Sequence, residues 1–170
     1  MEALQAIFGR RSVRRFQKRA IEPKKIETLL RAAMAAPSAM NEQPWEFVVI
    51  DRKDLFDRIM QVHPYASMLA TAPLAILVCG DRTRGLAADY WALDCSCAAE
   101  NLLLAAHALD LGAVWTGIYP EQGRMEALRD CCGLPPEVVP LTLIAVGYPD
   151  GGPAEPAGRF RPERIHNNQW

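Results

Sequence analysis

The sequence lacks an excess of charge of either sign, and it lacks the short motifs of the common nucleotide-binding and hydrolase sites. Its 19 Lys and Arg residues stand against 20 Asp and Glu, a net charge of −1, which argues against a nucleic-acid or membrane partner. No GxGxxG, P-loop or GxSxG motif occurs, and no carboxylate pair stands out for acid–base catalysis. An enzyme with this sequence would therefore take its chemistry from a cofactor.

The sequence also lacks the cysteine spacing of a metal site and the long apolar run of a membrane span. Its five cysteines form no C-x-x-C pair and its three histidines lie far apart, so no zinc site is expected. No stretch of about 18 residues is purely apolar, and the first residues, MEALQAIFGRR, do not resemble a signal peptide. We therefore expect no transmembrane helix and a cytoplasmic location.

The length and the distribution of charge carry more information than the net charge. With 170 residues, half of them hydrophobic, the chain is expected to form one domain over residues 1–170. Residues 1–25 hold eight basic and two acidic side chains, whereas residues 26–158 hold eight basic and seventeen acidic ones. Residues 159–170 are again basic, with three arginines and one glutamate. Two interpretations stay open: the basic ends are solvated, or they meet around one anion.

Hydrophobic periodicity predicts strands that alternate with helices, which is typical of a layered α/β or α+β domain. Pro23 is expected to begin one helix and Gly112 to end another. The predicted helices cover residues 2–10, 23–36, 53–62, 65–71, 87–110 and 121–132. The predicted strands cover residues 45–51, 73–79, 113–119 and 138–149, and an extended tail is predicted from residue 151 onward.

The predicted helix over residues 87–110 is apolar around most of its circumference. A helix of this kind must be buried on nearly all sides, and it would be about 36 Å long at 1.5 Å per residue. One domain of this size offers little volume to surround it, so the sequence predicts that a second subunit covers part of it.

The segment RRSVRR gathers four arginines around one hydroxyl group. The guanidinium groups of Arg10, Arg11, Arg14 and Arg15 suit phosphate oxygens in bidentate geometry, and Ser12 adds a short donor. In an extended segment Arg10, Ser12 and Arg14 would share one face. A phosphate site and a solvated basic turn are both compatible with this pattern.

Two further segments carry groups that suit a ligand. PSAMNEQPW offers the amides of Asn41 and Gln43 and the hydroxyl of Ser38, which can read the edge of a heterocycle, although a polar helix-to-strand connection explains them equally well. The WTG segment, residues 115–117, ends a predicted strand. Ligands often lie beyond strand ends in layered folds, and a plain turn is the alternative.

Taken together, these segments resemble the FMN-dependent nitroreductase family in its shorter form. RRSVRRF resembles the family's phosphate and ribityl motif, and APSAMNEQPWEFVVI resembles its loop-then-strand signature. APLAILVCGD, DCSCAAENLLLAAHALDLGAVWTGIYP and RFRPERIHNNQW follow in the family's order, so the resemblance covers nearly the whole chain. Asp110 departs from the glycine that is common at that point, which concerns only a helix end.

The resemblance implies an α+β fold, a three-layer α/β/α sandwich with a mixed central sheet, and a homodimer with two FMN molecules at its interface. The implied residues for the FMN phosphate, ribityl chain and pyrimidine edge are Arg10, Arg11, Ser12 and Arg14. The isoalloxazine would be covered from the partner chain by Pro37, Ser38, Ala39, Met40 and Asn41, and along the ring would lie Trp115, Thr116 and Gly117. From the tail, Arg159 would reach the phosphate, with Arg161 as a second candidate.

The resemblance also implies a ping-pong oxidoreductase. NADH or NADPH would deliver hydride to flavin N5, and a small electrophile such as a nitroaromatic, a quinone or an enone would then accept it, with no side chain acting as an acid or base. One alternative is a specialised relative, a dehalogenase or an enzyme that cleaves its own reduced flavin, against which the short connections argue. The others are a non-catalytic FMN-binding or sensing dimer and an anion-binding dimer without flavin.

Overall fold

Five α-helices and four β-strands form the regular structure of residues 1–152 and 158–170, the residues that this computed structural model describes. The helices are α1 (Ala3–Gly9), α2 (Pro23–Met34), α3 (Lys53–Val62), α4 (Trp91–Ala108) and α5 (Gln122–Cys132). The strands are β1 (Trp45–Ile50), β2 (Leu74–Asp81), β3 (Gly112–Gly117) and β4 (Val138–Gly147). The expected α+β class is confirmed, and the helix predicted over residues 65–71 is only a 3₁₀ turn at Ser67–Ala70.

The strands form one sheet in the order β1-β2-β4-β3, and all three pairings are antiparallel. The expectation of a mixed sheet is therefore wrong for the described residues. β2 and β3 run in the same direction and are joined through α4, but β4 lies between them and pairs antiparallel with both. The one parallel contact among the described residues is an isolated bridge between Ser12 and Ala113 on the outer edge of β3.

The sheet separates two hydrophobic cores, because successive side chains of a strand point to opposite faces. Ile76 and Val78 of β2 pack with α2 and α4 on one face. Leu77 and Cys79 of the same strand pack with α3 and α5 on the other face. Helices thus cover both faces of the sheet, and its two edge strands are β1 and β3.

The start of α2 agrees with the prediction, whereas α2 ends at Met34 instead of Ala36 and α4 is shorter than the predicted residues 87–110. Pro23 begins α2 as expected. The last helical residue of α4 is Ala108, and the left-handed residue after it is Asp110, with φ of 60°. The sequence predicted that Gly112 ends this helix, but Gly112 instead begins β3. A residue with a short polar side chain, such as Asp110, can adopt the left-handed backbone conformation that usually requires glycine.

The chain itself buries one side of α4 and leaves an apolar stripe on the other. Buried residues of this helix pack over the sheet and α2. The outward stripe consists of Leu93, Cys97, Glu100, Leu104 and Ala108, none of them buried, and Glu100 is its only charge. The expectation that a second subunit covers α4 therefore stays a prediction, now limited to this stripe.

The C-terminal tail projects large apolar side chains into solvent. Residues 158–170 are exposed throughout, and their only regular turn is at Pro162–Arg164. Phe160, Ile165 and Trp170 are 74%, 58% and 99% exposed. The start of the predicted tail, residues 153–157, lies outside the described residues. Among the helices that are described, none has the length and apolarity needed to cross a membrane.

Candidate functional site

The arginine-rich segment lies in an extended conformation across the ends of β3 and β4. The N–H of Val13 donates to the carbonyl of Ala113 over 3.0 Å, and the N–H of Gln17 donates to the carbonyl of Tyr148 over 2.9 Å. Between these two contacts, Phe16 is buried in the core on the α3 and α5 side of the sheet. Backbone pairing at both ends and one buried aromatic side chain therefore fix the position of Arg14 and Arg15.

Gly112 allows this segment to approach the sheet closely. A Cβ atom built on Gly112 would lie 2.6 Å from Cβ of Val13, and 2.7 and 2.8 Å from its two γ carbons. These distances are shorter than real Cβ contacts, so no larger residue fits here unless the segment moves. The glycine that the sequence suggested as a helix end thus has a different role, the placement of residues 12 and 13 against β3.

A cleft of about 630 Å³ opens beside this segment. It is lined by residues from the start of the chain, from the end of α4 and from the turn after β4, namely Met1, Gly9, Arg11, Ser12, Val13, Arg14, Arg15, His107, Asp110, Leu111, Pro149, Asp150, Gly151 and Gly152. Three arginines and one histidine face two aspartates in this lining. The excess of cationic groups and the Ser12 hydroxyl suit an anionic ligand such as a phosphate monoester.

The four arginines of the segment do not act alike. Arg10 points away from the cleft and pairs with Glu100 of α4 over 3.5 Å. Arg11 donates from Nη1 to the carbonyls of Phe8 and Arg10, over 2.9 and 2.6 Å, at the end of α1. Within the described residues the guanidinium groups of Arg14 and Arg15 make no hydrogen bond or ion pair. Arg10 is thus absent from the cleft lining, whereas Arg11 lines the cleft and uses only Nη1 in these hydrogen bonds. The roles of Arg10 and Arg11 at an anion stay predictions.

Within the predicted loop of residues 37–45, the segment 37–43 contains three of the five non-glycine residues with positive φ in the described chain. Met40, Asn41 and Gln43 have φ of 50°, 58° and 51°, a region that non-glycine residues rarely occupy. Strain of this kind persists only where the surroundings hold it, and it is concentrated at ligand sites. Met40 is 73% exposed, so the loop presents its side chain to solvent.

Two side chains hold the strained loop in place. The buried Asp94 of α4 accepts a hydrogen bond at Oδ1 from the N–H of Ala39 over 3.0 Å. Ser38 accepts at Oγ from the N–H of Gln43, also over 3.0 Å. Asp94 lies in the first turn of its helix, where the helix dipole favours a negative charge. The loop is therefore anchored to the N-terminal end of α4.

The free energy of unfolding of the Asp94→Ala variant is expected to be about 1.5–3 kcal/mol lower than that of the natural protein, because a hydrogen bond to a charged acceptor is lost. Amide hydrogen exchange at Ala39 is expected to accelerate in the same variant. Denaturant titration and exchange measured by NMR check these results. Asp57→Ala, which removes an exposed carboxylate from α3, serves as the control, and equal effects in the two variants would contradict the role of Asp94.

The loop and the cleft lie at opposite ends of α4. The loop is anchored at Asp94 and the cleft is lined by His107. These two residues are thirteen positions apart in one helix, about 20 Å at 1.5 Å per residue. One copy of the chain therefore does not bring the two predicted halves of the site into contact.

The WTG segment forms the end of the edge strand β3. Ser12 pairs beside Ala113, so residues 115–117 follow about 7–13 Å further along the same edge. Nothing lies within 4 Å of a Cβ built on Gly117, so this face of the strand is open. The Thr116 hydroxyl, however, is buried and donates to the carbonyl of Leu143 over 2.7 Å. The carbonyl of Thr116 also accepts a hydrogen bond from the Thr142 hydroxyl over 2.8 Å, and Trp115 packs partly against the α4 core.

The tail arginines are not brought to the cleft of their own chain. Neither Arg159 nor Arg161 lines it. Arg161 instead donates to the carbonyls of Gly158 and Phe160, and its Nε lies 4.0 Å from Glu163. Sequence reasoning missed His107 and Asp110 as lining residues, although both lie at the end of the predicted helix over residues 87–110. Polar residues at the end of a buried helix are the signal that could have found them.

Comparison with known proteins decides the family. The sequence profile described as "Nitroreductase family" matches residues 7–63 and 61–148. The chain belongs to the nitroreductase family. The matched range contains the arginine segment, the strained loop, β3 and the end of α4, and the resemblance noted in the sequence is thereby confirmed. As a nitroreductase of the NAD(P)H nitroreductase and FMN reductase type, the protein is an oxidoreductase.

Relatives of this nitroreductase extend over its whole length. A protein of Methanothermobacter thermautotrophicus named "Putative NADH dehydrogenase/NAD(P)H nitroreductase" is 44% identical over 170 residues, which is 100% of this chain and 88% of the relative. A crystal structure of a protein of the same name from Bacteroides thetaiotaomicron is 45% identical, has a TM-score of 0.94, and covers 99% of this chain and 98% of the other.

One related structure is described with a ligand. A protein of Desulfovibrio desulfuricans, described as "a putative nitroreductase in complex with fmn", is 32% identical to this chain and has a TM-score of 0.85. The match covers 100% of this chain and 98% of that one. The nitroreductase fold seen here is thus shared with a protein that holds FMN.

Proposed function

We propose that this nitroreductase is a homodimeric, FMN-dependent NAD(P)H oxidoreductase that reduces small electrophilic acceptors. The observation that carries the proposal is the cationic cleft, in which the guanidinium groups of Arg14 and Arg15 have no hydrogen-bond or ion-pair partner among the described residues and Ser12 adds a hydroxyl donor. The phosphate of FMN carries nearly two negative charges at neutral pH. The chemistry of the cleft fits that group, and the FMN complex of the Desulfovibrio desulfuricans relative supports the same assignment.

The edge of β3 suits the flat part of the same cofactor. It begins beside the cleft and leads to Gly117, where no atom lies within 4 Å of the position that a Cβ would occupy. A planar ring can therefore approach the strand there without displacing a side chain. The role of residues 115–117 is to present backbone groups, because the Thr116 hydroxyl is already bonded to Leu143.

Two observations support the homodimer. The strained loop of residues 37–43 is about 20 Å from the cleft of its own chain, so a second copy would have to supply it to a shared site. The apolar side chains of α1 and of the tail are also exposed, among them Phe8 at 70% and Trp170 at 99%. Exposed apolar surface of this extent marks an interaction site. In the dimer, Arg159 would reach the phosphate from the tail, with Arg161 as the second candidate.

FMN, when bound, supplies the transfer of hydride from NADH or NADPH to the acceptor. The protein's part is to hold the phosphate with Arg14 and Arg15, to align the ring along β3 and to exclude water with residues of the loop. Nitroaromatics, quinones and enones are the proposed acceptors. Met40, Tyr65 and Tyr119 are exposed and would contact the acceptor, so we expect them to set its selectivity.

The visible spectrum of the purified protein and anaerobic stopped-flow reduction test the proposal. We expect a yellow protein, or a colourless one that takes up added FMN, whose flavin absorbance bleaches with NADH or NADPH and returns with a quinone or nitro compound. A protein that takes up no FMN would refute the proposal. Bound flavin that stays oxidised with both nicotinamides, or that reduces no acceptor, would instead favour a non-catalytic FMN-binding dimer.

A further inference from the structure

A second cavity, of about 450 Å³, opens at the end of the sheet opposite to the arginine cleft. Its walls come from residues that follow β2 and β3, from the first residue of α4 and from the start of β4. One face of α5 closes it, because its lining residues in that helix are spaced three or four apart, namely Gln122, Met125, Glu126 and Arg129. The volume lies within the range of sites for small molecules.

This cavity continues the order of the proposed FMN groups along β3. Ser12 of the arginine cleft pairs beside Ala113 near the start of the strand, and Gly117 is its open end. Tyr119, which lines the cavity, follows Gly117 by two residues, so their Cα atoms are at most about 7 Å apart. The cleft proposed for the FMN phosphate, the strand end proposed for its ring and the cavity therefore follow one another along β3.

Two aromatic side chains form one wall of the cavity. Trp91 is buried, Tyr119 is 42% exposed, and their rings meet edge to face with 4.9 Å between centres. The indole lies directly against the backbone of Gly80, where an added Cβ would overlap it. Contact with the sheet thus fixes the tryptophan, which in turn supports the tyrosine. An accessible tyrosine ring held in this way can stack on a flat heterocycle.

Charged groups of both signs line the cavity without neutralising one another. Arg82 and Arg129 are its cations, and Asp89 and Glu126 are its carboxylates. Within the described part of the chain neither arginine forms an ion pair. Arg129 is held at the wall by the hydrogen bond that its Nη2 donates to the carbonyl of Val138 over 3.1 Å. The positive charge of both arginines is therefore left to an anionic ligand.

These groups together match the chemistry of a nucleoside diphosphate. Guanidinium groups bind phosphate oxygens, carboxylates accept hydrogen bonds from ribose hydroxyls at dinucleotide sites, and aromatic rings stack on adenine. A bare phosphate ion would use only the two arginines, and the two carboxylates would repel it. A nucleotide is the class of anion that uses every charged group of the lining.

We propose that this cavity binds the adenosine diphosphate part of NADH or NADPH. The inference rests on the proposed function, because a nicotinamide ring placed over the flavin at Gly117 puts its diphosphate one ribose further on, where Tyr119 and the cavity begin. The cavity then contributes to the affinity for the donor and leaves the transfer of hydride itself unchanged. Its arginines are binding residues, and none of them touches the nicotinamide.

Anaerobic stopped-flow reduction of the FMN-loaded protein by NADH and by reduced nicotinamide mononucleotide tests the inference. The mononucleotide carries the same nicotinamide and lacks the adenylate half. In Arg82→Gln the apparent dissociation constant for NADH is expected to rise about tenfold, the lower end of what one charge-assisted hydrogen bond contributes. The limiting rate of flavin reduction is expected to stay the same, since the contact is equal in ground and transition states.

The mononucleotide supplies the comparison within each variant. Its apparent dissociation constant is expected to be the same in Arg82→Gln as in the natural protein, and Arg82→Lys is expected to restore part of the affinity for NADH. Arg58→Gln, which changes an exposed arginine of α3, is the matched control and is expected to alter neither donor. Equal losses for NADH and the mononucleotide, or an unchanged affinity for NADH, would overturn the inference.

A second measurement separates this inference from the proposed function. ADP is titrated into the protein as purified, and the indole N–H of Trp91 and the backbone amide of Tyr119 are followed by NMR. Both resonances are expected to shift to saturation, at higher ADP concentration in Arg82→Gln, and inorganic phosphate at the same concentrations is expected to shift neither. If the protein took up no FMN, the proposed function would fail and these shifts would still decide the role of the cavity. Equal shifts with phosphate, or none with ADP, would overturn the inference even in a protein whose flavin is reduced by NADH.

Discussion

Arg14→Ala is expected to bind FMN about 10- to 100-fold more weakly than the natural protein, with its unfolding temperature and its oligomeric state unchanged. Arg14 lines the cleft and has no hydrogen bond or ion pair within the described residues. Its removal therefore costs the fold little, whereas one charge-assisted contact to a phosphate contributes about 1.5–3 kcal/mol. Equilibrium titration of the apoprotein with FMN, together with analytical ultracentrifugation, measures both properties.

The matched control for this result is Arg58→Ala, which removes an exposed arginine from α3, on the other face of the sheet. It is expected to leave FMN affinity within about twofold, because a surface charge at that distance is screened by salt. Arg14→Lys keeps the charge and loses the bidentate fork, so an intermediate affinity is expected. Equal FMN affinities of Arg14→Ala and Arg58→Ala would remove Arg14 from the site.

Gly112→Ala is expected to lower the free energy of unfolding by about 1–3 kcal/mol and to weaken FMN binding at the same time. The added methyl group would lie 2.6 Å from Cβ of Val13, and Val13 is held by its own backbone hydrogen bond to Ala113. The arginine segment must therefore shift away from β3, which moves Ser12 and Arg14 together. Denaturant titration measures the first effect and FMN titration the second.

Gly123→Ala is the control for this substitution, because no atom lies within 4 Å of a Cβ at that position in α5. Alanine is the better helix former by about 1 kcal/mol, so this variant is expected to be as stable as the natural protein or more so. The double variant Val13→Ala, Gly112→Ala restores space. It is expected to be more stable than the sum of the single effects implies, and strict additivity would contradict the close approach described here.

The sequence predicts the layers of this fold well because their signal is local. The short apolar run that forms β2, buried at all but its last residue, and Pro23 at the start of α2 are each readable within a few residues. The antiparallel sheet was missed because the position of β4 between β2 and β3 is a tertiary property. Gly112 was misread for a related reason: a glycine required by a distant neighbour, Val13, looks in sequence like one that ends a helix.

The sequence predicted the residue types of the candidate site better than the hydrogen-bond and ion-pair partners of their side chains. An arginine cluster around Ser12 indicates an anion site, but only the structure shows that Arg10 is directed to Glu100 and that Arg11 binds carbonyl groups. The inward turn of the Thr116 hydroxyl depends on its register with Leu143.

The strained loop and the cleft lie at the two ends of α4, and this separation affects how FMN binding depends on protein concentration. If each flavin needs both segments, and they come from different copies, then cofactor retention is coupled to association of the chains. FMN would then stabilise the dimer, and dilution below the dimer dissociation constant would release it. The apparent affinity for FMN would rise with protein concentration, which a protein that holds its cofactor within one chain does not show.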